Sequence, residues 1–161
     1  MNAEPSAASV VAGSPAVLRP LWESDVEAIA RWCAKPIVLA GSPVPLSDLL
    51  GSTDRRRTLV LLEEKTQGPT GLVVVALDDP EPGWATVVLL AIAAQDQRDL
   101  AALGVALLEA RLRGQANHIR AAVPPDVGLA LYFWLRLGYR PVPSEEPSAG
   151  EGLWMISDWD G

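Results

Sequence analysis

The chain has one cysteine, Cys33, and one histidine, His118, among 161 residues. A lone thiol excludes an intrachain disulfide framework, and Cys33 has no companion at metal-ligand spacing, so neither redox chemistry nor a metal site is expected. Basic charge is scarce as well: thirteen Lys and Arg stand against twenty Asp and Glu, a net charge of -7. No overall field draws such a chain to nucleic acid or to anionic lipid, and neither is expected as a partner. Long apolar runs are missing. The longest, around Val87 to Ala94, stops at Gln95, short of the roughly 18 residues that span a bilayer. The first seventeen positions lack a basic start followed by a continuous apolar segment, so no secretory leader is expected and a soluble, cytoplasmic protein is.

What is present suits one globular domain. Hydrophobic residues make up 49% and charged residues 20%, enough to bury a sizeable core and outside the disordered range. Met1 to Pro15 is built of Ala, Ser, Gly and Pro, which offer little to bury against the entropy of ordering; this stretch is expected as a flexible tail, with a single domain over residues 16–161. Ala16 to Arg19 reads as a short strand. Ser24 and Glu27 have capping-box spacing, Val26, Ile29, Ala30 and Cys33 share one helical face, and Pro36 bounds the helix. From Ile37 to Arg57 the pattern is broken by Gly41, Pro43, Pro45 and Gly51, with a helical turn suggested only at Ser47 to Leu50.

Thr58 to Glu63, Gly71 to Leu77 and Trp84 to Ala93 are apolar, partly β-branched runs separated by turn residues, which predicts three consecutive antiparallel strands. Asp99 to Arg113 predicts a buried helix ending before Gly114, and His118 to Val123 a strand. Val127 to Leu137 predicts a second apolar helix with Gly138 at its C′ position, then strands at Tyr139 to Val142 and Gly152 to Ser157.

That order of elements, with Leu18-Arg19-Pro20 and Asp25 before the first helix, Ala106 to Ala110 in a later one, and Leu131 to Tyr139 (LYFWLRLGY) near the end, resembles the GCN5-related N-acetyltransferases. The resemblance runs over about Val17 to Ser157. It implies an α/β (α+β) fold: a mixed, mostly antiparallel sheet of about seven strands flanked by about four helices, splayed between its fourth and fifth strands, here Trp84 to Ala93 and His118 to Val123. It also implies acetyl-CoA or another acyl-CoA as cosubstrate, no metal, and transfer of the acyl group to a small-molecule or peptide amine by direct attack. The pantetheine would lie like an added strand against Ile92, Ala93 and Ala94. The pyrophosphate would lie against Gln97, Arg98, Ala102, Leu103, Gly104 and Val105, at the N-terminal end of the following helix.

The motif positions depart from the family pattern. Aligned without gaps, Asp99 to Gly104 match the phosphate loop only at the final glycine, and Asp99 sets a carboxylate where the family has an amide or a base. A shifted alignment instead puts Gln97 first, leaves Gln97 and Arg98 facing the phosphates, and moves Asp99 to the helix N-cap; both alignments stay open. Val127 and Trp134 stand where many members carry an Asn and the Tyr that protonates the departing thiolate. An indole N–H does not titrate in a useful range. Tyr132, about 200° round the helix from Trp134, is the remaining candidate acid, and Glu63 or its neighbour Glu64 the candidate base; consecutive strand residues face opposite ways, so only one of the two can serve.

Each feature also has a plainer use. Tyr132 and Trp134 fill a core or rim, His118 is a solvated strand end, and Cys33 is a small core residue. Arg55, Arg56 and Arg57 form a solvated strand entrance, and most of the six tryptophans are packing; a cleft lining or a homodimer contact is the other use open to them. A scaffold with this many altered motif positions also fits a catalytically degenerate protein that binds a ligand or a protein partner.

Overall fold

The computed structural model of the chain describes residues 9–10, 16–42, 56–63, 68–124, 128–142 and 153–158. Its strands are β1 (Ser9–Val10), β2 (Ala16–Pro20), β3 (Ile37–Gly41), β4 (Arg56–Glu63), β5 (Gly71–Leu77), β6 (Trp84–Ile92), β7 (His118–Val123), β8 (Arg140–Pro141) and β9 (Leu153–Asp158). The α-helices are α1 (Val26–Cys33), α2 (Arg98–Leu112) and α3 (Gly128–Arg136). One sheet runs in the order β1-β2-β4-β5-β6-β7-β9-β8, with β3 joined to β6 off that path. Every pairing is antiparallel except β6 with β7, which is parallel. No helix among the described residues is long and apolar enough to cross a membrane.

Period-2 burial explains the two-faced sheet. In β4, Leu59 and Leu61 join Val73, Leu90, Leu107 and Trp134 in the core under α2 and α3. The intervening Val60 joins Leu72, Val74, Leu89 and Ile29 of α1 on the other face. β5 is buried at Gly71 to Ala76, as befits a central strand covered on both sides. Helix α2 presses close to the sheet because Gly104 has no side chain: a Cβ there would stand 3.0 Å from the Leu61 methyls. Helix α3 ends at Gly138 (φ 89°), where Tyr139 N–H donates to Trp134 O and Gly138 N–H to Leu135 O, the paired bonds of a Schellman motif.

Three expectations change. The sheet reaches into the stretch expected as tail, since Ser9 and Val10 pair with Leu18 and Val17. The broken segment after α1 contains a strand, β3, that the glycine and prolines concealed; Ser47 to Leu50 lies outside the described residues, as does Glu64. The N-cap residue of the first helix is Asp25, not Ser24, and its carboxylate closes the turn before the helix. A 3-10 turn, Glu23–Asp25, precedes α1, and the Asp25 carboxylate accepts Trp22 N–H at 2.8 Å while Arg19 holds it with both Nη atoms, at 2.7 and 2.9 Å. Arg19 also lies over the Trp22 ring, 3.7 Å from its centre.

Burial pushes the Asp25 carboxyl up, but the Arg19 and Trp22 hydrogen bonds and the Arg19 charge outweigh it and hold the group below its ordinary 3.8. Its stabilising contribution is therefore complete above the ordinary value and is lost as pH falls through the lowered one. Asp25→Asn is expected to cost about 2 kcal/mol at neutral pH, because the buried Arg19 loses its countercharge. The acid-side decline in stability should flatten in the variant. Urea titrations at neutral pH and near pH 3 check both.

Candidate active site

Strands β6 and β7 do part. Their parallel ladder joins Trp84–Val87 to His118–Ala121 and goes no further. The fork coincides with a bulge: against β5, Val87 pairs with Val75 and Leu89 with Val74, so Val88 is left outside that register. Past the fork, the edge of β6 from Leu89 to Ile92 is not free, and of the expected donor grip Ile92 lies on it. Strand β3 is paired there, Ile37 with Ile92, Val38 with Ala91, Ala40 with Leu90 and Gly41 with Leu89. It also lies against β7 and under α3.

Three local features seat β3. Leu39 is the bulged residue between Val38 and Ala40, and its carbonyl accepts the Trp134 indole N–H at 2.7 Å. The bulge takes that carbonyl out of the ladder and the indole satisfies it. Leu39 and Ala40 are fully buried. Gly41 has φ 72°, and a Cβ on it would stand 1.7 Å from Val88 O, so only glycine passes the fork.

The residues of the expected donor grip have partners within the chain. Ile92 has strand partners on both sides, Gly71 and Ile37. Ala93 N–H donates to Thr70 O at 3.0 Å, and Ala94 N–H donates to Gln97 Oε1 at 3.1 Å. These three residues bond within the chain.

The helix end departs from expectation in a different way. Helix α2 begins at Arg98 with Gln97 as N-cap residue, so Asp99 is in the first turn and not at the cap. Gln97 spends its side chain on Ala94. Leu103, Gly104 and Val105 lie well inside the helix, and Gly104 and Val105 are buried. Gly104 thus serves the α2–β4 packing, where a phosphate-loop role was expected. Arg98, Asp99 and Ala102 instead line a pocket of about 250 Å³ shared with Tyr132 and Arg136 of α3. Tyr132 is 56% exposed and has the Arg136 guanidinium 5.8 Å from its ring centre. It belongs to this outer pocket, while Trp134 faces the inner slot.

No protein-family model and no curated protein sequence matches the chain. Solved structures match over nearly its whole length. An acetyltransferase from Thermus thermophilus aligns with a TM-score of 0.72 at 21% identity, covering 93% of this chain and 99% of that one. The ribosomal-protein-S18-alanine N-acetyltransferase of Escherichia coli aligns at 0.58 and 15%, covering 88% and 90%. The Salmonella typhimurium acetyltransferase that modifies the N-terminal serine of ribosomal protein L7/L12 aligns at 0.65 and 13%, covering 94% and 99%. The fold is that of the GCN5-related N-acetyltransferases.

Against the acetyltransferase fold the remaining residues can be placed. Trp134, set by the family resemblance at the place of a proton donor, here holds β3 through its N–H. Glu63 ends β4, pairs with Ala16 and is half-buried; β5 lies between it and β6, two strand spacings or about 10 Å from the slot. His118 stacks on Trp84 with ring centres 4.5 Å apart. Burial raises the Cys33 thiol, the opposite of the lowered pKa that marks a reactive cysteine. Arg56 and Arg57 are exposed at the start of β4, as a solvated strand entrance requires. Among the described residues no group of His, Cys, Asp or Glu could hold a metal ion. Sequence reasoning missed Leu39, Gly41, Val88 and Arg136; only Gly41 carried a signal, read as a break.

Removing β3 from the slot has a calculable cost. Returning Leu39 to water costs about 2 kcal/mol, and leaving the indole N–H unpaired costs about as much again. A total on the order of 4 kcal/mol lowers the apparent affinity of any ligand needing the open slot by about a thousandfold.

The far side of Trp134 is braced by Tyr139, their rings edge-on at 4.7 Å. The buried Tyr139 hydroxyl donates to Glu109 Oε2 at 2.8 Å. Burial raises the Glu109 carboxyl, more than the Tyr139 hydrogen bond and the Arg113 charge lower it. The folded state therefore holds that proton more tightly than the unfolded chain, and stability falls as pH rises from the ordinary 4.5 through the raised value. Glu109→Gln keeps an acceptor for Tyr139 and removes the charge. Thermal melts from pH 4 to pH 8 should show that decline flattened, with the variant at or above the parent at the alkaline end.

Proposed function

We propose that this protein is a latent acyl-CoA-dependent N-acyltransferase, a scaffold for moving an acyl group to a small-molecule or peptide amine, held closed by its own β3. The observation that carries the reading is the fork: β6 and β7 part at a bulge, beside a pocket with Arg98 and Arg136 at its rim. Guanidinium groups beside a helix N-terminus suit a pyrophosphate. One similar protein modifies the N-terminal serine of ribosomal protein L7/L12 and another is a ribosomal-protein-S18-alanine N-acetyltransferase, as their names state, which favours an amine of a peptide or protein as acceptor. The donor supplies an activated thioester carbonyl for the amine to attack. This chain's own part is positional: the β6 edge aligns the thioester arm and excludes water, and the residue at Val88 sits outside the β5 ladder at the turning point. Trp134 cannot protonate the leaving thiolate, so that proton comes from water. A cytoplasmic setting, where acyl-CoA is made and used, follows from this reading.

A second reading, a catalytically degenerate binding module, is favoured by one specific observation, the pairing of β3 with the donor edge. Calorimetry with acetyl-CoA, together with thiol release in the presence of amines and N-terminal peptides, separates the two. The first expects weak binding, sub-millimolar or worse, and slow, protein-dependent acetylation. Neither heat nor thiol release at several millimolar acetyl-CoA would reject it in favour of the second.

A further inference from the structure

The main-chain edge of β6 from Leu89 to Ile92 leads from the fork to Ile92, the first residue of the expected donor grip, and it is filled by a segment of the same chain with strand geometry of its own. We infer that β3 is a resident substitute for the donor's pantetheine arm, and that its withdrawal is the step that opens the site. The inference rests on the donor reading above and adds to it the element that controls access, with the residues that set its strength.

Several features make β3 a removable insert and not an ordinary core strand. It is off the main path of the sheet and joins it only through β6, whose first half is already committed to β7. Its outer residues, Ile37 and Val38, are only half-buried. A side-chain bond outside the ladder, Trp134 Nε1 to Leu39 O, fastens its bulge. The far end, paired with Leu89, is seated by the close approach of Gly41 to Val88 O. A donor arm entering the fork would restore hydrogen bonds to the β6 edge as β3 gave them up. Exchange of one strand for another costs far less than leaving the edge bare. The bond to Trp134 and the burial of Leu39 are what the donor does not restore, so they set the bias toward the closed form.

The test uses the full chain, acetyl-CoA as ligand, and amide hydrogen exchange at residues 37–41 beside calorimetry. Trp134→Phe keeps a ring and removes the N–H; Gly41→Ala cannot seat at the fork, and it serves if the first variant fails to fold. Each is expected to speed exchange at 37–41 and to tighten acetyl-CoA binding, by roughly thirtyfold for the lost indole bond. In the parent chain acetyl-CoA should speed exchange at 37–41, the reverse of the usual protection by a ligand, while slowing it at the start of α2. Faster exchange in the variants with unchanged affinity would overturn the inference and leave donor binding standing. Unchanged exchange in both variants would overturn the roles given to Trp134 and Gly41. No binding by any form, even where 37–41 exchanges freely, would overturn the donor reading itself and the inference with it.

Discussion

A parallel pair of strands that separates part-way along its length leaves a row of amide and carbonyl groups with nothing to bond, and buried backbone groups in that state are rare because each costs about 1–3 kcal/mol. The fork between β6 and β7 creates such a row from Leu89 to Ile92, and the rest of the site follows from how it is satisfied. Here β3 does it. Once β3 lies in the fork, Leu39 must bulge to stay in register, its displaced carbonyl needs a donor, and the nearest side chain on α3 has to be one that donates without titrating. Trp134 meets that requirement at 2.7 Å. A tyrosine hydroxyl could donate as well, but the indole brings more apolar surface against the buried Phe133 and Tyr139 rings. Trp134 is thus a clasp for the strand.

The brace behind Trp134 has the same logic one layer out. Tyr139 is nearly fully buried, so its hydroxyl requires a partner, and Glu109 provides it at the expense of a carboxyl whose burial favours its protonated form. Gly138 turns the chain so that Tyr139 can follow α3 directly into this position. The LGY triplet is therefore a device for placing an aromatic ring behind the helix residue that faces the slot.

Much of the scaffold was legible in the residues. The apolar, partly β-branched runs at 59–63 and 71–77, the apolar run of α2 with Gly114 beyond it, and the LGY ending of α3 each reflect a local rule that tertiary packing reinforces. The site was legible only in part. Trp134 at a motif position and Asp99 near the helix start could be read as departures from the family pattern; one faces the slot and the other lies in the first turn of α2. What hid β3 was its chemistry. A five-residue strand that bulges at Leu39 and ends on a left-handed glycine has no period-2 run to recognise, and its reason for being a strand is a partner edge far along the chain. Val88 was hidden for a related reason, since a bulge within a uniformly apolar run changes no residue type. Gly104 misled for the opposite reason: a glycine at a familiar position can serve a helix–sheet contact as readily as a phosphate.

Charge at the outer pocket does not change this balance. Arg98 and Arg136 line it together with Asp99, which is exposed and one residue from Arg98. Exposed pairings of this kind are worth about 0–1 kcal/mol each and are screened at cellular salt. Two such guanidinium contacts, opposed by one carboxylate, fall short of the roughly 4 kcal/mol that seats β3. An anionic group at the mouth can orient a ligand, but it cannot open the slot by attraction from outside. The decision between closed and open forms therefore lies along the β6 edge, where one extended chain must be exchanged for another, residue against residue.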